Sequence, residues 1–146
     1  MEGGNMIRIL ICCGGGFSSS ALAIRVVKEI KEKGLEEEVA IDFSPFSLAY
    51  ERMRDFDVIM CCPHLKYRVK EVVQKYVHND IPVYVLPPRM YGTMYLEEVY
   101  QDAKDILASF ASNPVNPFCF EGEQDILRVQ RFVSYRKAHK IKEEIV

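Results

Sequence analysis

The chain has 146 residues, enough to bury a core of its own, with 49% apolar and 27% charged side chains, an ordinary globular balance. A formal net charge of −2 gives no reason to expect nucleic acid or an anionic membrane as a partner. No apolar run has the length of a membrane span, and Met1-Glu2-Gly3-Gly4-Asn5 lacks the pattern of a signal peptide, so a soluble, cytoplasmic protein is expected. Five cysteines, four of them in the pairs Cys12-Cys13 and Cys61-Cys62 with Cys119 left over, do not form a secreted disulfide framework and read as reduced thiols.

Met6 to Cys12 reads as a first strand, apolar nearly throughout as in a parallel sheet covered on both faces. Ser18 to Lys33 has helical apolar spacing (Leu22, Ile24, Val26, Val27, Ile30), lysines at its end and Gly34 as a C-terminal cap. Glu38 to Phe43 reads as a second strand, and Ser44-Pro45 opens a short helix over about 46–54. Asp57 to Cys62 is a third strand stopped by Pro63, and His64 to Val77 a helix. Ile81 to Leu86 is a fourth strand ended by Pro87-Pro88. A loop with Tyr91-Gly92 then leads to a helix from about Thr93 to Ala111. Such alternation implies right-handed crossovers and a parallel sheet. From Ser112 the composition changes. Asn113-Pro114-Val115-Asn116-Pro117 reads as a linker, and Glu123 to about Glu144 as a final helix carrying six Lys or Arg and no acid between Arg128 and Lys142. Domain limits of 1–111 and a linker plus helical extension over 112–146 follow.

The chemistry concentrates after the first strand. Gly14, Gly15 and Gly16 let the backbone approach an oxyanion closely, and the amides and dipole of the following helix favour negative charge. Ser18, Ser19 and Ser20 add hydroxyl donors, and Cys13 is a nucleophile held in the same field. No Gly-Lys-Ser/Thr follows, which excludes a Walker loop, and the glycine spacing does not match a dinucleotide fingerprint. Position 19 is Ser19, where a low-molecular-weight cysteine phosphatase needs arginine, so the loop can hold a phosphoryl group but is poorly equipped to hydrolyse it. Flavin binding would need aromatic walls, for which only Tyr67 and Tyr91 offer themselves. A disulfide switch, or a metal site formed with His64, needs the cysteine pairs brought together, and no ligand spacing supports either.

Cys13-x-x-Gly16-x-Ser18-Ser19-Ser20, between strand and helix, resembles the phosphocysteine loop of the IIB subunits of the sugar phosphotransferase system, lactose/cellobiose (chitobiose) type. Asp57-Val58-Ile59-Met60 with Cys62-Pro63-His64-Leu65-Lys66-Tyr67, Ile81-Pro82-Val83 and Met90-Tyr91-Gly92 are similar to further landmarks of that family, in order over residues 6 to 111. The resemblance implies an open four-stranded parallel sheet of order 2-1-3-4 with helices on both faces, here with an extra C-terminal helix. It implies that Cys13 takes a phosphoryl group from a phosphohistidine of a IIA protein and passes it to a sugar held by a membrane IIC protein. The sugar would be of the β-glucoside or disaccharide class, with no cofactor or metal and with the protein peripheral to the transporter. Gly14 to Ser20, Phe17 included, match the phosphate-binding loop, and Cys62, Pro63, His64 and Tyr91 would lie on its rim. Cys62 stands where the family usually has Gly, His64 where it has Gln, and Phe17 is bulkier than usual. A regulatory module that senses phosphate or binds a partner on the same fold is the alternative. The basic face of the final helix suggests docking on the chain's own sheet edge, on a second copy in a homo-oligomer, or on a partner protein.

Overall fold

A computed structural model describes residues 6–14, 17–74 and 80–140, with the backbone alone over 17–20. Four parallel strands, β1 (Ile7–Cys13), β2 (Val39–Pro45), β3 (Val58–Cys61) and β4 (Val83–Val85), form one sheet of order β2-β1-β3-β4. Ile9, Leu10 and Ile11 of β1 are fully buried, each contributing roughly 1.5–3 kcal/mol of apolar burial. Asp57 clips β1 to β3 at the amino end: its carboxylate accepts from the Arg8 amide at 2.8 Å, and its own amide donates to the Arg8 carbonyl at 2.8 Å.

Helices cover both faces, as the continuously apolar strands demand. Helices α1 (Phe17–Glu32) and α5 (Leu96–Ser112) pack Val26, Ile30, Val99, Ala103 and Ile106 against Ile9, Ile11 and Met60. On the other face α2 (Phe46–Arg52) and α3 (Lys66–Val73) cover Leu10, Ile59 and Val83 with Ala49, Val69 and Val73. Helix α1 ends as expected at Gly34, whose φ of +68° suits a glycine cap. The expected third helix divides into a 3-10 turn (Pro63–Leu65) and α3, and its last stretch, over 75–77, lies outside the described residues.

Two segments differ from the sequence reading. Tyr91-Gly92 lies not in a loop but inside a short helix, α4 (Pro88–Thr93), because Pro88 stands at its first positions, where proline is compatible with helix. Met94, left-handed at φ 46°, ends it, and the Arg25 guanidinium holds the Thr93 and Met94 carbonyls at 2.8 and 2.9 Å. The expected long helix over 123–144 is instead an extended strap with a 3-10 turn (Ile126–Arg128) and a single-turn α6 (Tyr135–Ala138), and residues 141–146 lie outside the described ones.

The strap wraps the sheet edge. Asn116 accepts from the Val83 amide and donates to the Ile81 carbonyl, both at 2.8 Å, and the Phe118 amide donates to the Val83 carbonyl at 2.8 Å. These bonds occupy backbone groups that an edge strand would otherwise expose. Phe120 then joins the α1/α5 layer and Ile126 the α2/α3 layer. An extended chain can straddle an edge in this way, whereas a straight helix presents one apolar stripe to one face.

Candidate functional site

Strand β1 lies at the centre of the sheet and leads through α1 to β2 on one side, while β3 leads through α3 to β4 on the other. Chains leaving the carboxyl ends of β1 and β3 therefore diverge, and the crevice between them is where open parallel sheets receive ligands. Cys13 is the last residue of β1, and Cys62 follows β3 directly. The two β-strands thus bring the expected nucleophile and an expected rim residue together.

Cys13 is 3% exposed, and its thiol faces the Ser44 carbonyl of β2 at 3.9 Å. Strand alternation alone would put Cys12 and Cys13 on opposite faces, yet both pack in the apolar cluster on the α2/α3 side. The strand ends at Cys13, and its side chain turns to Ser44. Gly14 is exposed, and a Cβ there would meet nothing within 4 Å, so the space at the residue after the thiol is open. Gly15 and Gly16 lie outside the described residues, and Phe17, Ser18, Ser19 and Ser20 form the first turn of the α1 backbone.

The Cys62 amide donates to the Cys12 carbonyl at 2.9 Å, carrying the β1–β3 pairing one residue past the strand. Burial pushes the Cys62 thiol up; backbone hydrogen bonds with Gly14, His64 and Leu65 pull it down, and Cys13 raises it further. Pro63 is buried within the 3-10 turn and His64 is exposed on it. Tyr91 is half-buried and packs against both layers beyond β4, whereas Tyr67 is largely exposed. Cys12 and Cys61 are register partners in the core, and the Cys61 thiol is pushed well up by its hydrogen bond with Cys12 and by burial. An enclosed thiol raised in this way, as at Cys61, is a poor nucleophile. Among the described residues, no three His, Cys, Asp or Glu side chains gather as a metal site.

The sequence reading missed Ser44, which meets the Cys13 thiol through its backbone carbonyl, a contact no side-chain pattern reveals. It also missed a second buried polar centre. Arg131, 5% exposed, donates to Asp102 at 2.9 Å, to Glu123 at 2.7 and 3.0 Å and to the Tyr84 hydroxyl at 2.8 Å. Burial pushes the Asp102 carboxyl up to about 6 against the pull of Arg131. Burial by itself lowers the Arg131 guanidinium, but Glu123, Tyr84 and Asp102 outweigh it and keep the charge. A signal for this centre did exist: Glu98, Asp102 and Asp105 form an acidic stripe at helical spacing on α5, and Lys137, Arg131 and Arg136 of the tail meet them in turn. Much of the basic face, for which docking on the chain's own domain was one of three alternatives, is thus paired within the chain.

Residues 8–102 match the family model described as PTS system, Lactose/Cellobiose specific IIB subunit. The chain belongs to this IIB family. Membership gives it a part in sugar phosphotransfer and implies IIA and IIC proteins and a sugar as the other participants. Among solved structures, the chain is similar to the lactose-specific IIB component domain of the phosphoenolpyruvate:carbohydrate phosphotransferase system from Streptococcus pneumoniae. The identity is 15%, the TM-score 0.48, and the match covers 74% of this chain and 97% of that one. No curated protein matches the chain. Among the described residues, no helix is long and apolar enough to cross a membrane.

Proposed function

We propose that Cys13 is the phosphoryl carrier of this IIB chain. Its sulfur displaces a IIA imidazole from phosphorus, forming S–P as N–P breaks. A sugar hydroxyl presented by a membrane IIC protein then displaces the sulfur and loses its proton to water. The observation that carries this reading is the position of Cys13 at the carboxyl end of the central strand, beside an exposed Gly14 and before the α1 N-terminus. Phosphoryl transfer asks mainly for positioning and for stabilisation of charge on the equatorial oxygens. A loop of amides opening a helix meets that need without a metal, and Gly14 to Ser20 take this role. Cys62, Pro63, His64 and Tyr91 form the rim that partners meet. Residues 1–111 carry the chemistry and 112–146 are an extension. The working location is the cytoplasmic face of a transporter for a β-glucoside or disaccharide.

Incubation with a phosphoenolpyruvate-driven donor chain ending in lactose/cellobiose-type IIA proteins should add one phosphoryl group by intact mass, with the alkali resistance of an S-phosphate. Cys13→Ser should add none. Failure of the wild type with several such donors would sink the proposal, and uptake unchanged by Cys13→Ser would move the site.

A further inference from the structure

Strands β1 and β3 run side by side and deliver four free thiols to one end of the sheet. Cys12 and Cys61 are register partners, and the hydrogen bond from the Cys62 amide to the Cys12 carbonyl extends the pairing, which sets Cys62 beside Cys13. Neighbouring strands lie about 4.8 Å apart, inside the ~4.4–6.8 Å between Cα atoms that a disulfide spans. Both side chains pack in the same apolar cluster, and rotation of the Cys13 side chain off the Ser44 carbonyl of β2 turns its sulfur toward β3. We propose that Cys13 and Cys62 form a reversible disulfide under hydrogen peroxide, which switches phosphoryl acceptance off.

This inference rests on Cys13 being the phosphoryl acceptor. In the first step the Cys13 sulfur attacks one peroxide oxygen, the O–O bond breaks, and a sulfenic acid and one water result. The Cys62 sulfur then attacks the Cys13 sulfur, S–S forms as S–O breaks, and the hydroxyl leaves with the Cys62 proton as a second water. Two thiols are oxidised by two electrons and one peroxide is reduced by two. A thiol reductant reverses the reaction by exchange.

Burial separates this pair from the neighbouring one. Cys12 and Cys61 are both 0% exposed inside the sheet layer, whereas Cys13, 3% exposed, adjoins the exposed Gly14, the side on which this pair lies nearest to solvent. The backbone hydrogen bond between Gly14 and the Cys62 sulfur holds the resolving thiol against the residue next to the nucleophile. In the disulfide the Cys13 sulfur can no longer become a thiolate, and its remaining lone pairs are poor nucleophiles, so phosphoryl acceptance stops. The same bond protects Cys13 from irreversible oxidation.

The full chain, treated with hydrogen peroxide, alkylated and digested without reduction, should yield a peptide pair whose fragmentation joins Cys13 to Cys62. Phosphoryl uptake from the IIA donor should fall to background and return with dithiothreitol. Cys62→Ala, compared with its own untreated sample, should lose uptake to peroxide without recovery as Cys13 passes to sulfinate, and Cys13→Ser should form no cross-link. A cross-link confined to Cys12 and Cys61, free thiols at 13 and 62, or recovery by Cys62→Ala equal to that of the wild type would overturn the proposal. Cross-linking in a protein whose untreated form never accepts a phosphoryl group would sink the carrier reading while the thiol pair stands. Normal phosphorylation without the cross-link would sink this inference alone.

Discussion

The molecule buries polar chemistry in two places, and the two are built on opposite lines. At the Arg131 centre a guanidinium is enclosed by Asp102, Glu123, Tyr84 and the Val133 carbonyl, contributed by α5, β4 and the strap. Its partners all come from the chain itself, and the centre ties the strap to the domain. At the Cys13 site the thiol's hydrogen-bond contact among the described residues is the Ser44 carbonyl at 3.9 Å, and the thiol stands next to an exposed glycine. Enclosure by complementary charge makes a latch, whereas a weakly engaged thiol at the carboxyl end of the sheet fits the exchange proposed for it. Buried polarity alone therefore does not mark a functional site; what matters is whether the chain has already supplied the partners.

Three measurements test that contrast. The largest stability effect should come from Arg131→Met, which leaves two carboxylates buried without their cation and should cost roughly 3–5 kcal/mol in urea unfolding. Phosphoryl uptake per folded molecule should be retained. Loss of uptake in the folded variant would join the two regions instead of separating them.

The next effect is a pH dependence. The Asp102 carboxyl is raised in the folded state, to about 6 from an ordinary 3.8, so the native state binds the extra proton. Its contribution is fully present below the unfolded value and is lost as pH rises through about 6. Over that window the wild type should lose roughly 3 kcal/mol relative to Asp102→Asn, read as the difference between their unfolding free energies at each pH. A flat difference from pH 4 to 7 would remove Asp102 as the titrating group.

The smallest effect should be that of Tyr84→Phe. It removes one acceptor from the guanidinium and leaves the ring packing with Phe118 and Phe120 in place, at a cost of about 1 kcal/mol. A cost as large as that of Arg131→Met would mean that the hydroxyl, and not the ion pairs, holds the strap.

The sequence by itself determined the strand–helix alternation through residue 111, the parallel sheet, the thiol at the end of the first strand and the resemblance to the IIB family. These rest on local signals: continuously apolar strands, helical spacing in α1 and α5, glycine and proline at element ends, and a motif contiguous in the chain. Only the tertiary structure decided the rest, because the deciding partners are distant in sequence. The helical spacing of Ile126, Val129, Phe132 and Val133 suggests a helix. Only Ile126 sits in a helical turn, a 3-10 one, and Val129, Phe132 and Val133 lie outside any helix, because Phe120 and Ile126 must enter opposite layers while Arg131 reaches Asp102 and Glu123. Proline after a strand reads equally as a stop or as a helix start, and the packing of Met90 in the core settles it as the start of α4. Cys62 beside Cys13 is likewise a fact of strand order. Residues 49 positions apart become neighbours only because β3 pairs with β1.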